Sequence, residues 1–151
     1  MFIKSIIYKT ILPITLILLI SCDKEDTNPA CNYEAATGSR FFEFQASDGH
    51  TFIAWTNDTM VIQKVEAQLA LEPAQRNMHI NGEILKMPAN CDFNKSWSWY
   101  FNPEDWDLAD ISIEVCDGNP QYVEDNLEDF IQIGRYCPWS STVSKEISTP
   151  F

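Results

Sequence analysis

The chain is poor in several things that would point to a function. It has two histidines and five glycines in 151 residues. Ten basic residues stand against 22 acidic ones, a formal net charge of −12. That balance argues against DNA or RNA, whose phosphates need a basic face. It argues equally against docking on anionic lipid, and it permits cationic partners or metal ions. No phosphate-cradling glycine loop, nucleophile elbow or HExxH helix occurs. His50 and His79 lack a spaced partner in sequence, so both are expected as surface or packed side chains, not as a catalytic pair. No Cys-x-x-Cys spacing occurs, which speaks against a zinc knuckle. No apolar run reaches the roughly 20 residues that cross a bilayer core.

What is there begins with an address. Lys4 and Lys9 precede an apolar stretch from Ile11 to Ile20. The pattern is that of a secretory signal peptide over residues 1–21. Ile20-Ser21-Cys22 resembles the bacterial lipobox, which implies cleavage before Cys22 and lipidation of that residue. Each buried acyl CH₂ adds about 0.8 kcal/mol, so several chains anchor a protein firmly. Asp23-Lys24-Glu25-Asp26 resembles the export signal of Bacteroidetes-type lipoproteins. It implies an outer-membrane protein facing the cell exterior. Removal of residues 1–21 takes two lysines and no acid, so the mature chain is more acidic still.

Residues 22–38 are expected as a polar tether and residues 39–151 as a single domain, a size that suits one core. With Cys22 set aside, Cys31, Cys91, Cys116 and Cys137 form an even set in an oxidising compartment. Two disulfides follow, with three possible pairings. The working assignment is Cys31–Cys91 with Cys116–Cys137. An even count leaves no free thiol for nucleophilic catalysis.

Arg40–Gln45 and Thr51–Thr56 flank Asp48-Gly49 and read as a β-hairpin. A helix is expected over 58–71, capped by Asn57 or Asp58, with Val61, Ile62, Val65 and Leu69 on one stripe. Pro73 ends it or opens a further turn. Met78–Met87 is a strand region whose Asn81-Gly82 is a tight turn or a glycine bulge. Ser96–Phe101 alternates Trp97, Trp99 and Phe101 against smaller partners, as a strand does. Asn102-Pro103-Glu104-Asp105 reads as a helix start. Ile111, Ile113 and Val115 alternate as a further strand. Asn119-Pro120 starts a second helix, with Val123, Leu127, Phe130 and Ile131 inward and Gly134 at its end. Thr142–Ile147 adds an edge strand. The expected fold is α+β: a mainly antiparallel sheet with two helices on one face and two disulfides.

The second half carries a resemblance. His79–Met87 (HINGEILKM), Trp97–Gly118 (WSWYFNPEDWDLADISIEVCDG), Gln121–Phe130 (QYVEDNLEDF) and Gly134–Ser141 (GRYCPWSS) occur in that order. Together they resemble a family of small secreted bacterial domains similar to the N-terminal domain of a slime-mould protein loosely associated with calmodulin. The likeness covers residues 51–147 and implies the Cys116–Cys137 bridge. It supplies no mechanism. The calmodulin association does not transfer, because calmodulin targets are basic amphipathic helices. The expected helix over 120–131 carries Glu124, Asp125, Glu128 and Asp129 and no base.

These readings lead to a non-enzymatic, surface-displayed lipoprotein domain that binds an extracellular ligand, expected to be a protein, in the manner of an inhibitor module. No cofactor is expected. A calcium- or glycan-binding module is the alternative, and an enzyme of unrecognised type comes third. Glu104, Asp105, Asp107 and Asp110 are the weak calcium candidates, since hard cations want converging carboxylates. Acids also gather at helix N-termini, and that plainer explanation ranks first. Trp97 and Trp99 are expected in the core, because an indole buries a large area. Trp139, in the constrained loop after Cys137-Pro138, is the best ligand-binding candidate, with Ser140, Ser141 and Trp106 beside it.

Overall fold

The computed structural model describes residues 31–95 and 97–150. The expected signal peptide, the lipidation at Cys22 and the export signal lie outside the described residues. Among the described residues, five strands and three α-helices follow one another in the order ββαββααβ.

Strands β1 (Arg40–Gln45) and β2 (Thr51–Thr56) form the expected hairpin. Gly49 supplies the positive φ of its turn, at 91°, which a side chain would resist. β5 (Thr142–Ile147) joins β1 on the other side, so the first sheet runs β2-β1-β5 with antiparallel pairs. A second antiparallel sheet pairs β3 (His79–Lys86) with β4 (Trp99–Ala109). The α+β class and both disulfides, Cys31–Cys91 and Cys116–Cys137, are as expected.

β1 is apolar on both sides because both of its faces are covered. Phe42 and Phe44 point into the main core, with Phe52, Val65, Ile80, Trp99, Phe101 and Tyr136. Phe41 points the other way, into a cluster with Ile53, Trp55, Phe93 and Tyr100, which Cys31–Cys91 borders. Trp99 is fully buried and Trp97 stacks on it with centroids 5.9 Å apart. Both therefore serve the core, as their size suggests.

Helix α1 (Thr59–Leu69) starts at Asp58, whose carboxylate accepts from the Met60 and Val61 amides at 2.7 and 3.3 Å. Its buried stripe contains Val61, Ile62 and Val65. Beyond its end, Arg76 donates to the Leu69 and Leu71 carbonyls, and also to those of Val143 and Ser144 at 2.9 Å each. One guanidinium thus ties the last turn of α1 to β5.

The structure corrects four expectations. Asn102-Pro103-Glu104-Asp105 starts no helix. β4 continues through it, and the β3–β4 register slips between Gly82, opposite Trp106, and Ile84, opposite Phe101. The four residues therefore bulge out opposite Glu83. A proline costs no ladder bond at a bulge. Asn102 uses its cap chemistry on the bulge instead, accepting from the Glu104 amide at 3.1 Å and donating to Glu83 at 2.6 Å. Secondly, Ile111–Val115 is not a strand: no neighbour among the described residues pairs with it, and Glu114–Cys116 is a single 3₁₀ turn. Thirdly, the second helix is two. Asn126 (φ −128°, ψ 32°) interrupts it, giving α2 (Pro120–Asp125) and α3 (Leu127–Ile133). Gly134 closes α3 with φ 73°, as expected. Finally, the helices do not gather on one face of one sheet. α1 lies against β4 and β5, and α3 against β3.

Asn81-Gly82 is not a turn: it stays paired in register with Asp107 and Trp106, next to the point where β4 bulges. Gly82 exchanges two backbone hydrogen bonds with Tyr136, at 3.1 and 2.8 Å. It holds the 135–139 segment against β3.

Candidate functional site

Residues 110–115 leave β4 and run to Cys116. Two constraints hold them. At the far end, Cys116 is bonded to Cys137, and the Cys137 amide donates to the Cys116 carbonyl at 2.8 Å. In the middle, the Ser112 hydroxyl lies 2.7 Å from Nε2 of His79 and 2.6 Å from Nδ2 of Asn81. His79 and Asn81 alternate on β3, so their side chains share one face. Arg135 completes the chain of contacts: Nε donates to Asn81 Oδ1 at 3.1 Å, and a terminal nitrogen donates to Asp105 at 2.8 Å. With its amide oxygen facing Arg135, Asn81 presents its NH₂ to Ser112. The assignment that uses the Ser112 proton has it donate to Nε2 of His79, with the imidazole proton on Nδ1.

Pinning Ser112 inward turns its neighbours outward. Ile111 is 81% exposed, Ile113 65% and Val115 59%. The alternation expected from sequence is absent: Ile111, Ile113, Glu114 and Val115 are all exposed, and only Ser112 turns towards the protein.

Trp139 stands beside this segment. Asp117 accepts from both the Gly118 and Trp139 amides, at 2.8 and 2.9 Å. The indole is 46% exposed, and its ring lies 6.5 Å from that of His79. Asn77, His79, Asp110, Ile111, Ser112 and Trp139 line a recess of about 230 Å³. His79 is 4% exposed. Burial pushes its pKa below the ordinary imidazole value, although the charges of Asp117 and Asp110 pull the other way. The recess therefore offers a neutral imidazole, one exposed carboxylate, an indole face and an aliphatic side chain.

The sequence candidates divide. Trp139 lines the recess and Ser140 is exposed beside it. Ser141 is fully buried; its hydroxyl and amide both bond the Pro138 carbonyl, at 2.8 and 2.9 Å, so it closes the turn. Trp106 belongs to the core and not to the site. It is 5% exposed and donates its indole N–H to the Trp55 carbonyl at 2.8 Å. The acids of 104–110 do not converge. Asp105 pairs with Arg135, Asp107 with Lys64, and only Asp110 reaches the recess. No group of three metal-ligating side chains forms among the described residues. His50 lies elsewhere, paired with Asp48 at 3.0 Å. Sequence reasoning missed Asn77, Asn81, Ser112 and Arg135 as site residues. The pair His79 and Asn81, two apart on a strand, was the available signal for two of them.

Residues 38–150 match the model of the BP-74 N-terminal domain family. The chain belongs to that family. The match takes in all four motifs quoted above and is wider than the likeness over 51–147. Thus both walls of the recess, the 110–115 segment and the loop after Cys137, lie within the family's domain. No curated protein and no solved structure matches the chain.

Proposed function

We propose that this BP-74 N-terminal domain is a non-enzymatic binding module. It docks an extracellular protein through Ile111, Ile113, Val115 and Trp139. Lipid on Cys22 holds it to the outer membrane with this surface facing outward. The observation that carries the reading is the outward display of three aliphatic side chains on a segment fastened at Ser112 and Cys116. Exposed apolar clusters of this kind mark interaction sites. Fastening the segment before binding reduces the ordering cost of association. Protein inhibitors use the same device, a braced loop with outward side chains, which supports an inhibitor-like version of the reading. A recess of about 230 Å³ is below the roughly 300–1,000 Å³ of small-molecule pockets. It suits one inserted side chain better than an oligosaccharide.

The Ser112–His79 contact supports a second reading, a serine nucleophile with its base. Two features weigh against it. The Ser112 oxygen already accepts from Asn81, and among the described residues no carboxylate is hydrogen-bonded to the other imidazole nitrogen. Ser112 reads better as a strut.

The test is competition. The protein carrying a photo-crosslinking residue at position 113 is added to intact producing cells and is expected to give one protein adduct. Excess unmodified protein should abolish that adduct, and excess Ile111→Asp/Ile113→Asp protein should not. Equal competition by both would end the docking proposal.

A further inference from the structure

The recess beside Trp139 carries the reading one step further, to the chemistry of the partner. Its lining contains one carboxylate, Asp110, and no lysine or arginine. Three cations of the surrounding elements have partners of their own: Arg135 with Asn81 and Asp105, Lys64 with Asp107, and Arg76 with main-chain carbonyls. Asp117 lies close enough to act electrostatically on His79 together with Asp110. The whole chain adds a net charge of −12. The local and global fields thus have the same sign, and both attract a cation. An anionic group would meet repulsion from Asp110 with no base to offset it.

The walls then narrow the kind of cation. Trp139 presents a half-exposed indole, and indole is the best of the aromatic faces for a cation. The Ile111 side chain lines the same recess, beside Asn77, His79 and Ser112, and suits an alkyl stem. A bare metal ion would find one carboxylate, too few hard ligands to hold it. A planar guanidinium can lie on the indole and pair with the carboxylate in two-pronged fashion, which an ammonium cannot.

We infer that this recess receives an arginine side chain of the protein partner, with its guanidinium between the Trp139 ring and the Asp110 carboxylate. The inference rests on the docking reading above, with 111, 113 and 115 as the surrounding apolar contact. Lysine fits less well, for want of the planar fork.

The test uses single side chains, so that it does not depend on finding the partner. The full-length protein is titrated with N-acetyl-arginine amide, and separately with the lysine and norleucine analogues. The Trp139 indole N–H resonance, assigned with Trp139→Phe, is followed by NMR. A saturable one-to-one shift with the arginine probe is expected in the millimolar range, as befits one side chain. Lysine should bind more weakly and norleucine not measurably. Asp110→Asn should weaken the arginine probe at least fivefold, with the rest of the spectrum unchanged. Equal binding of norleucine, or indifference to Asp110→Asn, would overturn the arginine inference and leave the apolar docking surface standing. Absence of saturation with every probe would also overturn it. Failure of the docking reading itself would appear separately, as equal competition for the position-113 adduct by the unmodified and the Ile111→Asp/Ile113→Asp protein.

Discussion

Gly82→Ala should be among the most damaging single-methyl additions to this domain. An ideal Cβ at Gly82 would lie 2.4 Å from Trp106 Cβ, 2.6 Å from the Asp105 carbonyl oxygen and 2.8 Å from Trp106 Cα. Ordinary contact begins near 3.4 Å. The strands must therefore separate by about 1 Å, and two of the three obstacles are backbone that cannot rotate away. Paired strands sit about 4.8 Å apart with N···O near 2.9 Å. An added ångström takes the adjoining ladder bonds out of range. It also disturbs the two bonds between Gly82 and Tyr136. Three or four weakened bonds at about 1 kcal/mol each, with overpacking of about 1–3 kcal/mol, give a loss of roughly 4–7 kcal/mol. For a domain of this size that corresponds to a fall in Tm of roughly 16–28 °C. The control is Gly49→Ala, where φ is 91° but nothing lies within 4 Å of the added carbon. It carries backbone strain alone, about 1–2 kcal/mol. Calorimetry of both variants decides the matter. A Gly82→Ala midpoint within about 3 °C of the parent, or no lower than that of Gly49→Ala, would refute the close approach of β3 and β4.

Other outcomes follow from the same geometry. Arg76→Ala removes donors from four carbonyls; it should cost about 2 kcal/mol, with Arg76→Lys recovering less than half, read by denaturant unfolding. Because burial lowers the pKa of His79, the folded state binds fewer protons there than the unfolded chain. That stability is complete above about pH 6.5 and falls as pH drops towards the lowered value, by at most about 1.4 kcal/mol per unit. His79→Gln should flatten the change in Tm between about pH 7.5 and 5.5, and an unchanged slope would reject the assignment. A fluorophosphonate probe should leave Ser112 unlabelled at mildly alkaline pH, by mass spectrometry of the intact protein; labelling that disappears in Ser112→Ala would favour the enzyme reading.

Much of the fold was legible because local rules agreed there with the tertiary outcome. The 40–56 hairpin has a turn that wants Gly49 between two short, largely apolar runs. α1 has a cap at Asp58 and one apolar stripe. Asn102-Pro103-Glu104-Asp105 misled because an asparagine before proline has the same chemistry at a helix start as at a bulge. Only the pairing of Gly82 with Trp106 distinguishes them, and that pairing is long-range. Ile111–Val115 misled for a related reason. Its period of two is that of an extended chain, whether or not a neighbouring strand exists to pair with it. The site followed the same division. Trp139 was visible as a large apolar residue beside a constrained Cys-Pro. Ser112, Asn81 and Arg135 come from three separate segments, and nothing local marks their meeting. Trp106 was misplaced because an exposed and a buried indole look alike until the Trp55 carbonyl is found within reach.

The central claim is that the apolar side chains of 111–115 and Trp139 serve binding and not stability. One experiment on Ile111→Asp/Ile113→Asp and on Trp139→Ala addresses it, pairing the melting temperature of each variant with its power, in excess, to suppress the adduct formed by the position-113 crosslinking protein. The expected result is a Tm within about 3 °C of the parent for both, since these side chains are largely solvated, with suppression lost in the first and weakened at least tenfold in the second. A large fall in Tm with suppression retained would mean that the residues pack against the domain and that the partner binds elsewhere.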